Sequence, residues 1–446
     1  MTEYLPSVTI WMIMTDVWTT PEYMRRTLFG PGQELLEAQR EGRLLPVTTP
    51  FGLNARIVTR YDEVRAILGD ADRFGSFAGG FLASPVSATD ATAAARAARA
   101  TGVASAAGTA EGVEGTAAAG GPHAATLADL RAGNLLVLDP PDHTRLRRML
   151  TPEFTGARMR RLQARVTEII KDALDDVERA GRPVDLVPTF ALAVPSLVIC
   201  ELLGVPYADR DAFHQRTARQ IDVTLPVDER FAVAAESRAY MATLVDRARR
   251  EPGEDTLGML VREHGDELST AELVGLANLL LIAGHETTAN MFALGTLALL
   301  RHPEQLAAVR DDPAMTLPAV EELLRWLSIV HAAVPRTARD AGATFGGREV
   351  APEDHLVVSL PAANRDPAFI DDPDRLDITR GAIGHVAFGF GRHHCLGAPL
   401  ARMELRIGLP ALLRRFPDLA LAIPFEEVVF RTDTVVYGLQ SLPVTF

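Results

Sequence analysis

Residues 387–405 read AFGFGRHHCLGAPLARMEL, from Ala387 to Leu405, and hold one of only two cysteines in a chain of 446 residues. Glycines and aromatic residues precede Cys395, and an amphipathic helical pattern, LGAPLARMELRIGLPALLRRF, follows it. What that cysteine does decides how the rest of the chain is read.

A free cysteine at the start of a helix is often a small, inert, buried hydrophobe. A zinc site made from His385, His393, His394 and Cys395 fails on geometry, because neighbours in an extended chain point to opposite faces. A nucleophilic thiolate lacks an evident base with its own orienting partner. A metal-ligating thiolate fits the surroundings better. Pro399 is tolerated in the early turn, and free N–H groups and the positive end of the helix dipole favour a thiolate at Cys395. Gly389, Gly391 and Gly397 would let the backbone approach a flat cofactor, where a Cβ would collide. Phe388 offers a ring beside the sulfur. These features suit a single axial thiolate on heme iron.

The remainder of the chain sets bounds. Charged residues make up 23% and hydrophobic ones 47%, an ordinary soluble composition. A net charge of −13 argues against general nucleic-acid binding, and Lys171 is the sole lysine among 45 basic residues. Cys200 and Cys395 make no disulfide framework, which points to a reducing cytoplasm. The opening MTEYLPSVTIWMIMTDVW places Glu3 where a signal peptide would carry positive charge, and its apolar run is too short to span a bilayer. A cytoplasmic protein with no membrane association is expected. Helical periodicity dominates and strands are short, so the expected fold is mainly α with a small β region, without a fixed-period repeat. Residues 84–125 are rich in Ala, Gly and Thr and poor in large apolar side chains. They read as a loop inserted into a single domain spanning 1–446, able to serve as a flexible lid.

FGFGRHHCLG carries Phe388, Gly391, His393, Cys395 and Gly397 in the arrangement F-x-x-G-x-[HR]-x-C-x-G. In this it resembles the heme-binding loop of the cytochrome P450 superfamily, and the chain looks closest to the soluble bacterial, actinobacterial-type class I branch. The resemblance implies a triangular-prism fold with heme b between a long central helix and the helix after the cysteine. It makes Cys395 the iron ligand and His393 a contact to a heme propionate. Propionates need cations, and the family positions fall on His143 and Arg147, one helical turn apart, and on Arg336.

A second match is Ala283-Gly284-His285-Glu286-Thr287-Thr288. Burying a glutamate mid-helix is costly without a partner, and the ordinary alternative is a helix crossing from core to solvent. The Thr287 hydroxyl can bond back to the Ala283 carbonyl and open the helix ladder. Gly284, lacking a Cβ, would leave room for a diatomic ligand. The resemblance places the family's acid–alcohol proton relay on Glu286 and Thr287. A third match, Glu322-Leu323-Leu324-Arg325, is weak alone, since E-x-x-R also occurs at Glu22–Arg25 and Glu37–Arg40. By resemblance Arg375 completes a structural network with Glu322 and Arg325.

Family substrate contacts fall on Leu281, Ile329, Val330, Ala332, Val334 and Val435, implying a roomy hydrophobic pocket. The implied reaction inserts one oxygen atom of O2 into a C–H bond or alkene of a bulky hydrophobic small molecule of secondary metabolism. A peroxide-driven or oxidative-coupling variant and a non-catalytic heme sensor are the alternatives. With no dinucleotide fingerprint and no cysteine cluster, electrons from NAD(P)H would arrive through a ferredoxin and a ferredoxin reductase. Arg145, Arg148, Arg392 and Arg402 would form the docking face of a monomer.

Overall fold

The computed structural model describes residues 24–49, 54–76, 128, 131–206, 227–331, 334–432 and 434–446, with isolated positions between 209 and 225. The 84–125 segment, Ala332 and Asp433 lie outside the described residues. In chain order the principal helices are α1 (Asp142–Leu150), α2 (Gly156–Ala180), α3 (Ala193–Leu203), α4 (Thr270–Leu300), α5 (Thr316–Leu327) and α6 (Ala398–Arg415). The principal strands are β1 (Leu45–Thr48), β2 (Asn54–Val58), β3 (Phe74–Ser76), β4 (Val184–Asp185), β5 (Val334–Ala338), β6 (His355–Val358), β7 (Ala420–Leu421), β8 (Phe430–Arg431), β9 (Gly438–Leu439) and β10 (Pro443–Thr445).

Helix α4 begins at a capping box, in which the Ser269 hydroxyl accepts from the Glu272 amide and the Glu272 carboxylate accepts from the Ser269 amide. Its sequence is apolar nearly all round, which demands burial on every side. Helices α3, α5 and α6 accordingly pack against it, and their side chains join α4 in one large core. Helix α2 is different. Thr155 caps it, and its apolar stripe from Met159 to Val177 faces the core while its charged face meets solvent.

Five strands form a sheet in the order β1-β2-β6-β5-β3. β6 runs parallel to β2 and antiparallel to β5, and the β3–β5 register sets Ser76 opposite Arg336. A three-stranded sheet has the order β7-β10-β4, and β8 pairs with β9 as a separate hairpin. The expectation of a mainly helical chain with little sheet agrees with this architecture.

Helix α5 carries Glu322 and Arg325, each with a fully buried side chain. Two parallel bonds of 2.8 Å join Arg325 Nε and Nη2 to the Glu322 carboxylate. Arg325 Nη1 donates at 2.9 Å to the carbonyls of both Asn364 and Pro373, so the ion pair has the extra bonds a buried charge requires. The expected third member is placed otherwise. Arg375 directs its guanidinium to Asp377 at 3.6 Å and is 66% exposed, so only its carbonyl reaches Arg325. Arg380 instead approaches Glu322, at 3.9 Å. A turn closed by the Arg375 amide on the Asp372 carbonyl, at 3.2 Å, presents the Arg375 carbonyl to α5.

Candidate active site

The loop before α6 is closed by its own backbone. The Cys395 amide donates to the Phe388 carbonyl at 2.9 Å, and the His394 amide to the Gly391 carbonyl at 3.0 Å. Cys395 stands just ahead of α6, where amides of Gly397 and Ala398 point at its sulfur. Its surface is accessible although protein surrounds it, which describes a concavity. Burial pushes the thiol up, and those amides with Arg147 and Arg402 act in the opposite sense, favouring thiolate. The Phe388 ring lies under the Arg402 guanidinium at 4.5 Å, and Arg402 is itself held by Glu321 through bonds of 2.7 and 2.9 Å.

Two glycines serve ends other than those expected. A Cβ on Gly391 would stand 2.2 Å from the Leu68 carbonyl, and its φ is +70°. That glycine seats the loop on the 61–69 helix, independently of any cofactor. A Cβ on Gly284 would stand 2.6 Å from Ile199 Cδ1. Gly284 therefore admits α3 against α4, and room for a diatomic ligand is not what it provides. Gly389 at φ +71° and Gly397, whose Cβ would be 3.9 Å from the Cys395 sulfur, keep open surroundings.

A cluster of basic side chains forms beside the sheet. His393 Nε2 is 3.1 Å from the Ser76 hydroxyl, and its ring centroid is 4.3 Å from that of His143. His143 is buried and its Nε2 has no hydrogen-bond partner. Burial, with positive charge at His393 and Arg147, lowers its pKa to about 4. Arg147 is half-buried and reaches the His394 carbonyl at 2.6 Å. Arg336 is buried, with the Pro335 carbonyl as its acceptor at 2.9 Å, and burial lowers its pKa to about 10. Among the described residues no carboxylate pairs directly with it. Asp139, at the edge, is occupied: the Ser76 amide donates to it at 3.0 Å and Arg339 pairs with it. Burial alone would raise the Asp139 pKa, but bonds from His393 and Ser76 hold it to about 2. The sequence reading missed this residue, whose only signal was the turn DPPD.

Helix α4 exposes a patch in its otherwise buried middle. Leu279, Ile282, Ala283 and Thr287 remain accessible, while residues 285, 286 and 288 are buried. The spacing 279, 283, 287 puts one stripe on one face. Thr287 donates its hydroxyl to the Ala283 carbonyl at 2.9 Å. Glu286 is 3% exposed, with His285 Nε2 at 3.7 Å and Arg431 Nη2 at 3.3 Å. Arg431 was not foreseen, since 145 positions separate it from Glu286.

The expected substrate residues divide. Leu281 lies in the main core, off the accessible stripe, whereas Leu279 and Ile282 are partly exposed. Val330 bridges to Val436, the neighbour of Val435, and the Ile329 carbonyl accepts from Tyr437 at 2.8 Å. Val334 and Val435 are partly buried. Three of the four expected docking arginines are engaged within the chain: Arg145 with Glu272, Arg392 with Asp72 at 3.0 Å, and Arg402 with Glu321. Arg148 is exposed and has no ion pair among the described residues.

The chain is similar to known proteins along most of its length. The family model described as Cytochrome P450 matches residues 242–419. "Cytochrome P450 FAS1" from Rhodococcoides fascians is 45% identical over 96% of this chain and 98% of its own length. The chain belongs to the cytochrome P450 family. It is accordingly an oxidoreductase of the monooxygenase class. The solved structure of a P450 named StaH, from biosynthesis of the glycopeptide antibiotic A47934, has a TM-score of 0.78 and 40% identity, covering 96% of this chain and all of that one. CYP105P1 in complex with filipin I has a TM-score of 0.80 at 36% identity, covering 96% and 98%. Both likenesses give this P450 the family fold. No helix among the described residues is long and apolar enough to cross a membrane.

The residues fit the heme that the family carries. A lone sulfur aimed into a concavity and backed by amides suits one axial ligand. His143 Nε2 without a partner and Arg336 without a carboxylate suit two propionates.

Proposed function

We propose that this P450 is a class I heme-thiolate monooxygenase that hydroxylates or epoxidises a bulky hydrophobic small molecule of secondary metabolism. The carrying observation is an amide-backed Cys395 sulfur together with an accessible α4 face on which the Thr287 hydroxyl bonds the Ala283 carbonyl. Heme b bound through Cys395 would supply the activation of O2. Cys395 binds as thiolate, aided by the amides of Gly397 and Ala398. Arg147, Arg336, His143 and His393 hold the propionates and so fix the cofactor's orientation. The Thr287 hydroxyl passes protons to oxygen and is resupplied by Glu286, through water where the two do not touch. The stripe of Leu279, Ile282 and Ala283, with Val330, Val334 and Val435, forms an apolar wall that excludes bulk water and holds the substrate.

Electrons from NAD(P)H come through a ferredoxin and its reductase. Arg148 is the exposed cation best able to steer an acidic partner, because Arg145, Arg392 and Arg402 are already paired. The protein acts in the cytoplasm as a monomer. Oxidative coupling on the same scaffold is the second reading, supported by the 40% identity to the glycopeptide-biosynthesis P450.

The test begins with the dithionite-reduced protein under carbon monoxide. A strongly red-shifted Soret band, lost in Cys395→His, is expected; a short-wavelength band from folded, heme-loaded wild type would overturn the reading. Turnover under 18O2 then separates the two reactions, since monooxygenation labels the product and coupling does not.

A further inference from the structure

We propose that Arg431 is a positioning residue for Glu286, fixing the carboxylate that supplies the proton relay and linking it to the hairpin that borders the substrate. The inference rests on the monooxygenase reading above.

Glu286 is a carboxylate in the middle of an apolar helix, where an unpaired charge would be costly. Arg431 Nη2 reaches its Oε2 at 3.3 Å and the Asn290 Oδ1 at 3.1 Å. Asn290 lies one turn further along α4, and its Nδ2 donates to the Glu286 carbonyl at 2.8 Å. Only one orientation of the Asn290 amide serves both bonds, with its nitrogen toward the carbonyl and its oxygen toward the guanidinium. Glu286, Asn290 and Arg431 therefore form a triangle in which each member restricts the others.

The strand that carries Arg431 is seated by a missing side chain. Gly438 faces Arg431 across the β8–β9 ladder. A Cβ there would stand 1.7 Å from Asn290 Oδ1 and 3.3 Å from Arg431 Nη2. Asn290 is doubly bonded and cannot swing aside without breaking the triangle. Between β8 and β9 the chain runs through the substrate side. Val436 bridges to Val330, Thr434 bridges to Asp222, and the Thr434 carbonyl lies 2.8 Å from His331 Nε2. One hairpin thus touches the segments assigned to substrate and, through Arg431, the relay acid. Displacing it displaces the acid.

The chemistry affected is the fate of reduced oxygen. When protons reach it in step with electrons, one oxygen atom leaves as water. When they do not, NADPH, a proton and O2 yield NADP+ and hydrogen peroxide. The test uses heme-loaded protein with plant ferredoxin, ferredoxin reductase and NADPH, without added substrate. Peroxide released per NADPH and the solvent deuterium isotope effect on NADPH oxidation are measured. Arg431→Gln is expected to raise both, the isotope effect about twofold or more, and Arg431→Lys to restore part of the difference. Gly438→Ala should reproduce the effect with Arg431 in place. In a Glu286→Gln background, Arg431→Gln should add nothing, because it acts through that carboxylate. Amide hydrogen exchange of residues 430–439 should quicken in Arg431→Gln and in Glu286→Gln alike.

Wild-type peroxide yield and isotope effect in Arg431→Gln would overturn the proposal, as would additive effects in the double variant or unchanged exchange. The carbon monoxide band of each variant keeps the two readings apart. A normal band with unaltered proton readouts rejects the role of Arg431 alone, whereas a band lacking thiolate character in wild type rejects the heme-thiolate reading beneath it.

Discussion

Glu404 lies on α6 and is 1% exposed, and its Oε2 has no hydrogen-bond partner. Burial raises its pKa well above the ordinary value of 4.5. The folded protein therefore keeps the Glu404 proton at pH values where the unfolded chain has released it. A pKa raised by folding contributes stability that is full below the unfolded value and is lost as pH rises toward the folded one. Within that window the loss is about 1.4 kcal/mol per pH unit. Glu404→Gln keeps the shape of the neutral acid and removes the titration. The stability of the variant minus that of the wild type, from urea unfolding of heme-loaded protein followed by circular dichroism, should grow from pH 5.5 to 7.5. The difference should climb by about 1.4 kcal/mol per pH unit for as long as the folded wild type keeps the proton that its unfolded chain has lost. Other titrating groups cancel in the difference. Parallel curves would refute the reasoning, because they would mean that Glu404 is ionised in the fold and has found a counter-charge.

Other outcomes follow from the same geometry. Glu322→Gln strands a fully buried Arg325 and should cost about 3–5 kcal/mol, read as a lowered denaturation midpoint. Gly284→Ala drives a methyl into Ile199 Cδ1 and should cost about 1–3 kcal/mol, with Ile199→Ala in the same chain recovering part of it. Asp139 and Glu321, both held to about 2, lend stability that is present above pH 4.5 and lost as pH falls through 2. Asp139→Asn and Glu321→Gln should each flatten the acid limb of a stability–pH profile between those limits. Arg148→Glu should slow reduction by ferredoxin, with a weaker dependence on salt than the wild type shows; an unchanged rate would remove Arg148 from the docking face.

What the sequence made legible was local in the chain. The Cys395 loop and the Thr287-to-Ala283 bond each lie within a few consecutive residues, so local spacing describes them. The counter-charge beside His393 was not legible in the sequence, because Asp139 meets Ser76 and Arg339 only after β3 pairs with β5. Arg375 was assigned a side-chain role that its turn gives to its carbonyl, and periodicity carries no information about such a turn. Gly284 was read for what could stand beside it, and the answer, Ile199, belongs to another helix. Arg431 and Asn290 were invisible for the same reason: a glutamate's partner 145 positions away leaves no periodic trace.

The three-stranded sheet has a consequence for synthesis. β10, its middle strand, is made of residues 443–445, while β4 lies at 184–185 and β7 at 420–421. A nascent chain therefore finishes both outer strands before it possesses the strand that joins them. The Leu186 amide likewise waits for the Leu442 carbonyl, 3.0 Å away in the finished protein. Until the ribosome delivers residues 443–445, β4 presents an unpaired edge to whatever else is in the cell, and a chaperone able to cover that edge should raise the yield of folded protein.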